Sequence, residues 1–178
     1  MNRGPSAGPE NRRALLAAAR EVFAESGYSA PLSAVARRAG VGQGSLYRHF
    51  PDRIALAAAV FEDNLGELED VAASPDATLD DLLDRAAEQA SVGAAFFDLV
   101  SGHRHDPRVE ALGNRVRRVA TALLERDREA GRISPAVTAE DVELALFMIA
   151  SALARSEAAE RPAVAARARA ILHAAFRL

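Results

Sequence analysis

Apolar residues return at every third or fourth position along most of this chain, and no run of Val, Ile, Thr and aromatic residues alternates with period two. That pattern predicts helices throughout. Leu15, Leu16, Ala19, Val22 and Phe23 form one stripe of a first helix over Glu10–Ser26, and Gly27 supplies its stop. Tyr28 and Leu32 are expected to pack beneath it. Ser33 opens a short second helix, with Val35, Ala36 and Ala39 turned inward and Arg37 and Arg38 outward. Gly40 ends that helix, and Gly42 and Gly44 keep the following turn tight. A third helix is predicted from about Ser45 to Phe50, anchored by Leu46 and Phe50, because Pro51 disfavours helical backbone at the residue before it.

The later elements are longer. Asp52 can cap a fourth helix over Asp52–Ala73 whose apolar face holds Ile54, Leu56, Ala57, Val60, Phe61, Leu65 and Leu68. After a break at Ser74–Ala77, the pair Thr78 and Asp81 resembles a capping box and opens a fifth helix, read as continuous over Leu79–Val100. Ser101–Pro107 is the next break. Helices are then predicted over Arg108–Ala130, where Gly113 is a point of kinking, over Thr138–Ser156, and over Pro162–Phe176. The fold class is therefore all-α. Residues 1–9 form an arm, residues 10–53 a three-helix head of helix-turn-helix type, and residues 54–178 a longer helical body.

Charge sharpens this division. The chain of 178 residues carries a net charge of −3, but residues 1–56 carry +4 and residues 57–178 carry −7. A basic front on an acidic body suits a protein that offers one face to a polyanion. All 22 basic residues are arginine. The absence of cysteine excludes disulfides, thiolate metal sites and cysteine nucleophiles. No apolar run is long enough for a membrane span, and the amino end lacks the apolar core of a secretory signal, so a cytoplasmic protein is expected.

The chemistry concentrates in Gly40-Val-Gly-Gln-Gly-Ser-Leu-Tyr-Arg-His-Phe-Pro-Asp-Arg53. A tight turn feeds a short helix with Leu46 and Phe50 inside, which turns Tyr47 outward with Gln43, Gly44, Ser45, Arg48 and His49. Gln and Arg can pair with adenine and guanine edges in a major groove, while Ser and Tyr hydroxyls suit phosphate oxygens. An enzyme is the competing class. Gly40–Gly44 superficially evokes a phosphate-cradling loop, but a helix and not a strand precedes it, and no lysine is available for a P-loop. No Ser/His/Asp set stands in a nucleophile turn.

Val41 through Leu56 resembles the DNA-binding signature of the TetR family of bacterial transcription regulators, and Phe23 with Ala24–Tyr28 resembles that family's upstream Phe-Xaa-Xaa-Xaa-Gly-Tyr element. The likeness covers roughly Glu10 to Leu56. It implies that Ser33, Gln43, Gly44, Ser45, Tyr47, Arg48 and His49 lie at the DNA, with Tyr47 and His49 on phosphates. Arg53 stands where the family often has lysine, which implies a further phosphate contact. In the body, the long fifth helix and the Asp106-Pro107 turn are similar to the SbtR-like subgroup.

The resemblance also implies a homodimer through the last two long helices, reading a near-palindromic double-stranded operator, and a small-molecule effector. Leu144, Ala145, Phe147, Met148, Ala152 and Leu153 offer one apolar face, and Ala166, Ala170, Leu172, Ala175 and Phe176 another. Both faces could equally complete the core of one chain. Phe96, Phe97, Leu99, Val100, His103, Leu112, Val116, Phe147 and Met148 are candidates to line an effector pocket. His103, His105 and Asp106 fit a solvated turn better than a metal site, and no cofactor is expected. The function expected is that of a ligand-responsive repressor. The alternative is a helical adaptor that binds protein and not DNA.

Overall fold

The computed structural model describes residues 7–157 and 159–177, which form nine helices and no strand. They are α1 (Ala7–Ser26), α2 (Leu32–Arg38), α3 (Gln43–His49), α4 (Arg53–Ala73), α5 (Leu79–Glu88), α6 (Ala90–His103), α7 (Pro107–Glu129), α8 (Ala139–Ala154) and α9 (Arg161–Phe176). Residues 1–6 of the expected arm lie outside the described residues, and α1 already includes positions 7–9.

Local chemistry sets most of the boundaries. Gly40 takes φ +65°, a conformation open to glycine and costly for other residues. The Gly40 N–H then donates to Arg37 O at 3.2 Å and the Val41 N–H to Ala36 O at 3.0 Å, so the last carbonyls of α2 are satisfied as the chain turns toward α3. At α4 the Asp52 carboxylate accepts the Ala55 N–H at 2.7 Å. Thr78 with Asp81 and Thr138 with Asp141 form reciprocal capping boxes at α5 and α8.

One predicted helix is two. The expected continuous Leu79–Val100 helix breaks at Gln89, whose φ of −93° and ψ of 11° end α5 and start α6. The Gln89 Nε2 donates to Glu67 Oε2 of α4 at 2.6 Å, tying the joint to a neighbouring helix. The break lets α5 bury Leu79, Leu82 and Leu83 at the rear of the body while α6 turns Ala95, Phe96 and Leu99 toward the head. No Gly or Pro marks position 89. Helix α7, by contrast, runs unbroken through Gly113.

Two apolar clusters hold the fold. The front cluster joins Leu15, Val22 and Phe23 of α1, Val35 of α2 and Leu46 of α3 to Val60 and Phe61 of α4, Leu99 of α6 and Leu112 of α7. The rear cluster joins α5, α7, α8 and α9 around Leu83, Leu123, Ile149 and Leu153. The front core therefore crosses the expected head–body boundary at residue 53.

Helix α7 holds α4 along its length. Arg108 Nη1 donates to both Asp52 carboxylate oxygens at 3.1 Å, Arg115 pairs with Glu69 at 2.7 Å, and Arg126 Nη1 donates to Ser74 O at 2.7 Å just beyond the end of α4. Buried Asp127 of α7 accepts the Leu79 N–H at 3.0 Å and Arg132 Nη2 at 2.6 Å, taking up an orphan donor in the first turn of α5.

Candidate nucleic-acid interface

Helix α3 is anchored on one side only. Leu46 is fully buried and Phe50, its C-cap, is 2% exposed. Between them Tyr47 is 52% exposed and Arg48 is exposed. Gln43 and Gly44 are exposed, Ser45 is half-buried, and Ser33 on α2 is exposed. A seven-residue helix cannot hold itself together in water. The side chains of Leu46 and Phe50 in the front core keep it folded and leave the other face free.

The arginines of the front divide into committed and free. Arg38 makes two bonds to the Glu25 carboxylate, at 2.8 and 2.7 Å, and a third to Glu21 at 3.2 Å. That pairing holds the Glu25 carboxyl below its usual range and ties α2 to α1. Arg20 pairs with Asp63 of α4 at 3.3 Å. Arg12 lies over the Phe50 ring at 5.3 Å from its centroid. Arg37 and Arg48 are exposed and have no acidic partner within 4.0 Å among the described residues. Arg37, at the end of α2, is thus a second free cation beside α3 that the sequence placed outward without assigning it to the interface.

Arg53 and His49 sit otherwise than expected. Arg53 Nη1 donates to Tyr28 O at 2.6 Å and Ala30 O at 2.5 Å, and its Cζ lies 5.5 Å from the Tyr28 ring centroid. Its guanidinium is turned into the α1–α2 turn. Adjacent residues at the start of α4 therefore reach opposite ways, Asp52 to α7 and Arg53 to the head. His49 is half-buried beside Phe50, with ring centroids 6.4 Å apart, and lines a groove with Arg12 and Arg108. Tyr28 itself packs edge-on against His103 at the end of α6, 5.8 Å between centroids, and burial raises its phenol above the ordinary pKa.

In the body, a cavity of about 60 Å³ opens between α4, the α5–α6 joint and α7. Phe61, Asn64, Leu65 and Leu68 line it from α4, Gly93 and Phe96 from α6, and Val116 from α7, with Gln89 at the joint. Of the expected pocket residues, Phe96 and Val116 are here. Phe97 packs edge-on between Phe96 and Phe147, and Val100 joins the front core. Leu99 and Leu112 are buried in that core, and His103 packs on Tyr28. Phe147 and Met148, at 42% and 45% exposure, lie on the outer face of α8.

The two expected pairing faces divide in the same way. Ala145, Leu153 and Leu172 are buried in the rear core, and Phe176 is half-buried against it. Leu144 is 54% exposed, and with Phe147, Met148 and Ala152 it forms an outward apolar stripe on α8. On α9 the outward residues include Ala166, Ala170, Ala175 and Ile171, the last 54% exposed. Among the described residues no group of three or more His, Asp or Glu could hold a metal ion, and no helix is long and apolar enough to cross a membrane.

Residues 15–60 match the family described as bacterial regulatory proteins, tetR family. A search among curated proteins returns no match. Among solved structures, the chain is similar to a TetR transcriptional regulator from Streptomyces coelicolor, at 29% identity and a TM-score of 0.65, covering 93% of this chain and 98% of that one. It shares its fold with a gamma-butyrolactone receptor (ArpA-like protein), at 21% identity and a TM-score of 0.66 over 97% of this chain and 90% of the other. It shares it also with the ketosteroid transcriptional regulator KstR2 of Mycobacterium tuberculosis, at 21% identity and a TM-score of 0.65 over 94% and 95%. Residues 15–60, from α1 into α4, are thus similar to the tetR family of bacterial regulatory proteins, and the chain as a whole shares an all-α fold with its structural relatives.

Proposed function

We propose that the protein is a transcription regulator that binds double-stranded DNA through α3 as a homodimer, and that a small molecule held in the body releases it from its operator, so that it acts as a repressor. The observation that carries this reading is the division of α3. Its apolar residues are locked in the core, and Gln43, Gly44, Tyr47 and Arg48 are left facing solvent beside the free cation Arg37. Helix-turn-helix proteins insert such a face into the major groove, where Arg48 and Gln43 have the geometry to pair with base edges. Tyr47, Ser33 and Arg37 suit phosphates, and His49 reaches the backbone from the flank of α3. Arg53 is assigned to orienting the head.

The outward stripes of α8 and α9 support pairing of two chains. Leu144, Phe147, Met148 and Ile171 are large apolar groups left in water by a single chain, and covering them returns about 25 cal/mol per Å². Two copies joined there would read a near-palindrome with half-sites about one DNA turn apart. Effector response follows from the lever: α4 lines the cavity with Phe61, Asn64, Leu65 and Leu68 and touches the head at Arg53. A ligand that prefers one tilt of α4 shifts the population of head spacings by its differential affinity. That one of the fold relatives is a receptor for a small molecule agrees with this.

Selection of bound duplexes from a random pool is the test. The reading expects enrichment of an inverted repeat, bound by a dimer with a steep salt dependence. Recovery of the input pool without enrichment at low ionic strength would overturn it.

A further inference from the structure

Helices α4 and α7 leave a groove of about 690 Å³ between them where they meet the head. Its floor is made largely of small side chains. Ala55, Ala58 and Ala59 lie on α4, and Ala111 stands beside Leu112 on α7. From Ala55 to Glu62 the groove follows two turns of α4, a span of about 10 Å. The charged groups sort to its two ends. At the end near α3, Arg12 of α1 and His49 border the buried ring of Phe50. Arg12 is exposed and its Cζ lies 5.3 Å from the Phe50 centroid. Neither Arg12 nor His49 has an acidic partner within 4.0 Å among the described residues. The other two arginines of the groove are spent, Arg108 on Asp52 and Asp106 and Arg115 on Glu69. The acid Glu62 closes the far end of the α4 floor. An anionic group is therefore favoured beside Phe50 and opposed at Glu62, and an apolar chain is favoured between them.

We infer that this groove binds a free amphipathic carboxylate with a short alkyl chain, its carboxylate on Arg12 and His49 and its chain along Ala55, Ala58, Ala59 and Ala111. A guanidinium presents paired donors that match a carboxylate. The Phe50 ring beneath Arg12 holds that donor in place and screens one face of it from water. The groove is separate from the cavity lined by Phe61 and Phe96, and no residue lines both. Its occupant touches α1 and α3 of the head together with α4 and α7. On the regulator reading, on which this consequence alone rests, the carboxylate competes with a DNA phosphate for His49.

The test uses the full chain without DNA and three probes: octanoate, octanol and acetate. Binding is read by ligand-observed magnetisation transfer and by the rise in thermal midpoint. The parent chain should bind octanoate about tenfold more tightly than octanol, the ratio expected of a hydrogen bond to a charged group, and should not bind acetate. In Arg12→Gln, which keeps a polar side chain at this exposed position and removes the charge, octanoate should fall to the level of octanol. Ala111→Phe fills the groove from an exposed position on α7 and should exclude both. Far-UV circular dichroism identifies a variant that fails to fold, and the parent probe series then decides with the other variant. No octanoate binding, octanol or acetate binding as tight as octanoate, or an octanoate affinity unchanged in either folded variant overturns the inference. Because no DNA is present, these outcomes are independent of duplex selection. Octanoate binding with no enriched duplex would sink the regulator reading and leave the groove assignment intact. An enriched duplex in a chain that does not bind octanoate would sink the groove assignment alone.

Discussion

Helix α3 and helix α8 both present a large exposed face, and the faces differ in kind. On α3 the buried side is Leu46, closed off by Phe50 at its C-cap, and the free side is Gln43, Gly44, Tyr47 and Arg48, all content in water. On α8 the buried side is Val142, Ala145, Leu146, Ile149 and Leu153, and the free side is Leu144, Phe147 and Met148, which water does not favour. A polar free face on an anchored helix can wait in solvent for a polar partner. An apolar free face is better off covered, as at a protein–protein contact. The two ends of the molecule therefore suit two kinds of partner under the proposed function, a polar one at the head and an apolar one at α8 and α9.

The two faces differ most in what truncation at Leu46 and at Leu144 should cost. Leu46→Ala leaves a hole under α3 and should cost about 2–5 kcal/mol of stability by chemical denaturation, whereas Leu144→Ala on the exposed side of α8 should change single-chain stability by no more than about 0.5 kcal/mol. Equal losses at the two positions would remove the distinction. Phe147→Asp should weaken self-association by about 2 kcal/mol or more, as loss of a central apolar anchor does. Sedimentation should then show a dimer for the parent chain and a monomer for the variant, with helicity retained. An unaltered dimer would move the interface elsewhere.

Arg53→Ala sharpens the account of the head. The Tyr28 and Ala30 carbonyls lose their shared donor, so the thermal midpoint should fall by an amount equivalent to about 1–3 kcal/mol, while the salt dependence of DNA binding stays as it was. A salt slope lowered by about one unit would instead put this guanidinium on a phosphate.

The smallest effect is one of pH. Arg108 and the α7 backbone hold the Asp106 carboxyl down to about 2, from an ordinary value of 3.8. A carboxyl lowered by folding contributes stability that is complete above its unfolded value and lost as pH falls through the folded one. Between about pH 4 and pH 2 the cap on α7 should therefore weaken. In Asp106→Asn the acid slope of the thermal midpoint should flatten over that window. A slope equal to the parent's would show that Asp106 contributes nothing there.

Much of this was legible in the residues because it is local. The capping pairs Thr78 with Asp81 and Thr138 with Asp141, the Asp52 cap, and the stop at Gly40 each act within a few positions, and a reader of sequence sees them directly. The outward turn of Tyr47 followed from Leu46 and Phe50 alone. What escaped depends on contacts made across the fold. The break at Gln89 has no Gly or Pro to announce it, and the Glu67 that ties it lies 22 positions back. The acceptors of Arg53 lie 23 and 25 positions back, in a turn whose geometry no pattern of spacing reveals. The cavity draws on α4, α6 and α7 together, so Phe96 and Val116 were anticipated and Asn64 was not.

Helix α3 is proposed as the reader of duplex DNA, and Arg48 tests that role most directly. The measurement is the affinity of parent and Arg48→Ala chains for a panel of duplexes that differ from the selected site by one base pair each, at fixed salt. The account predicts that the variant loses about 1–3 kcal/mol of discrimination at one base pair of each half-site and keeps the rest. Affinities unchanged across the whole panel would contradict it.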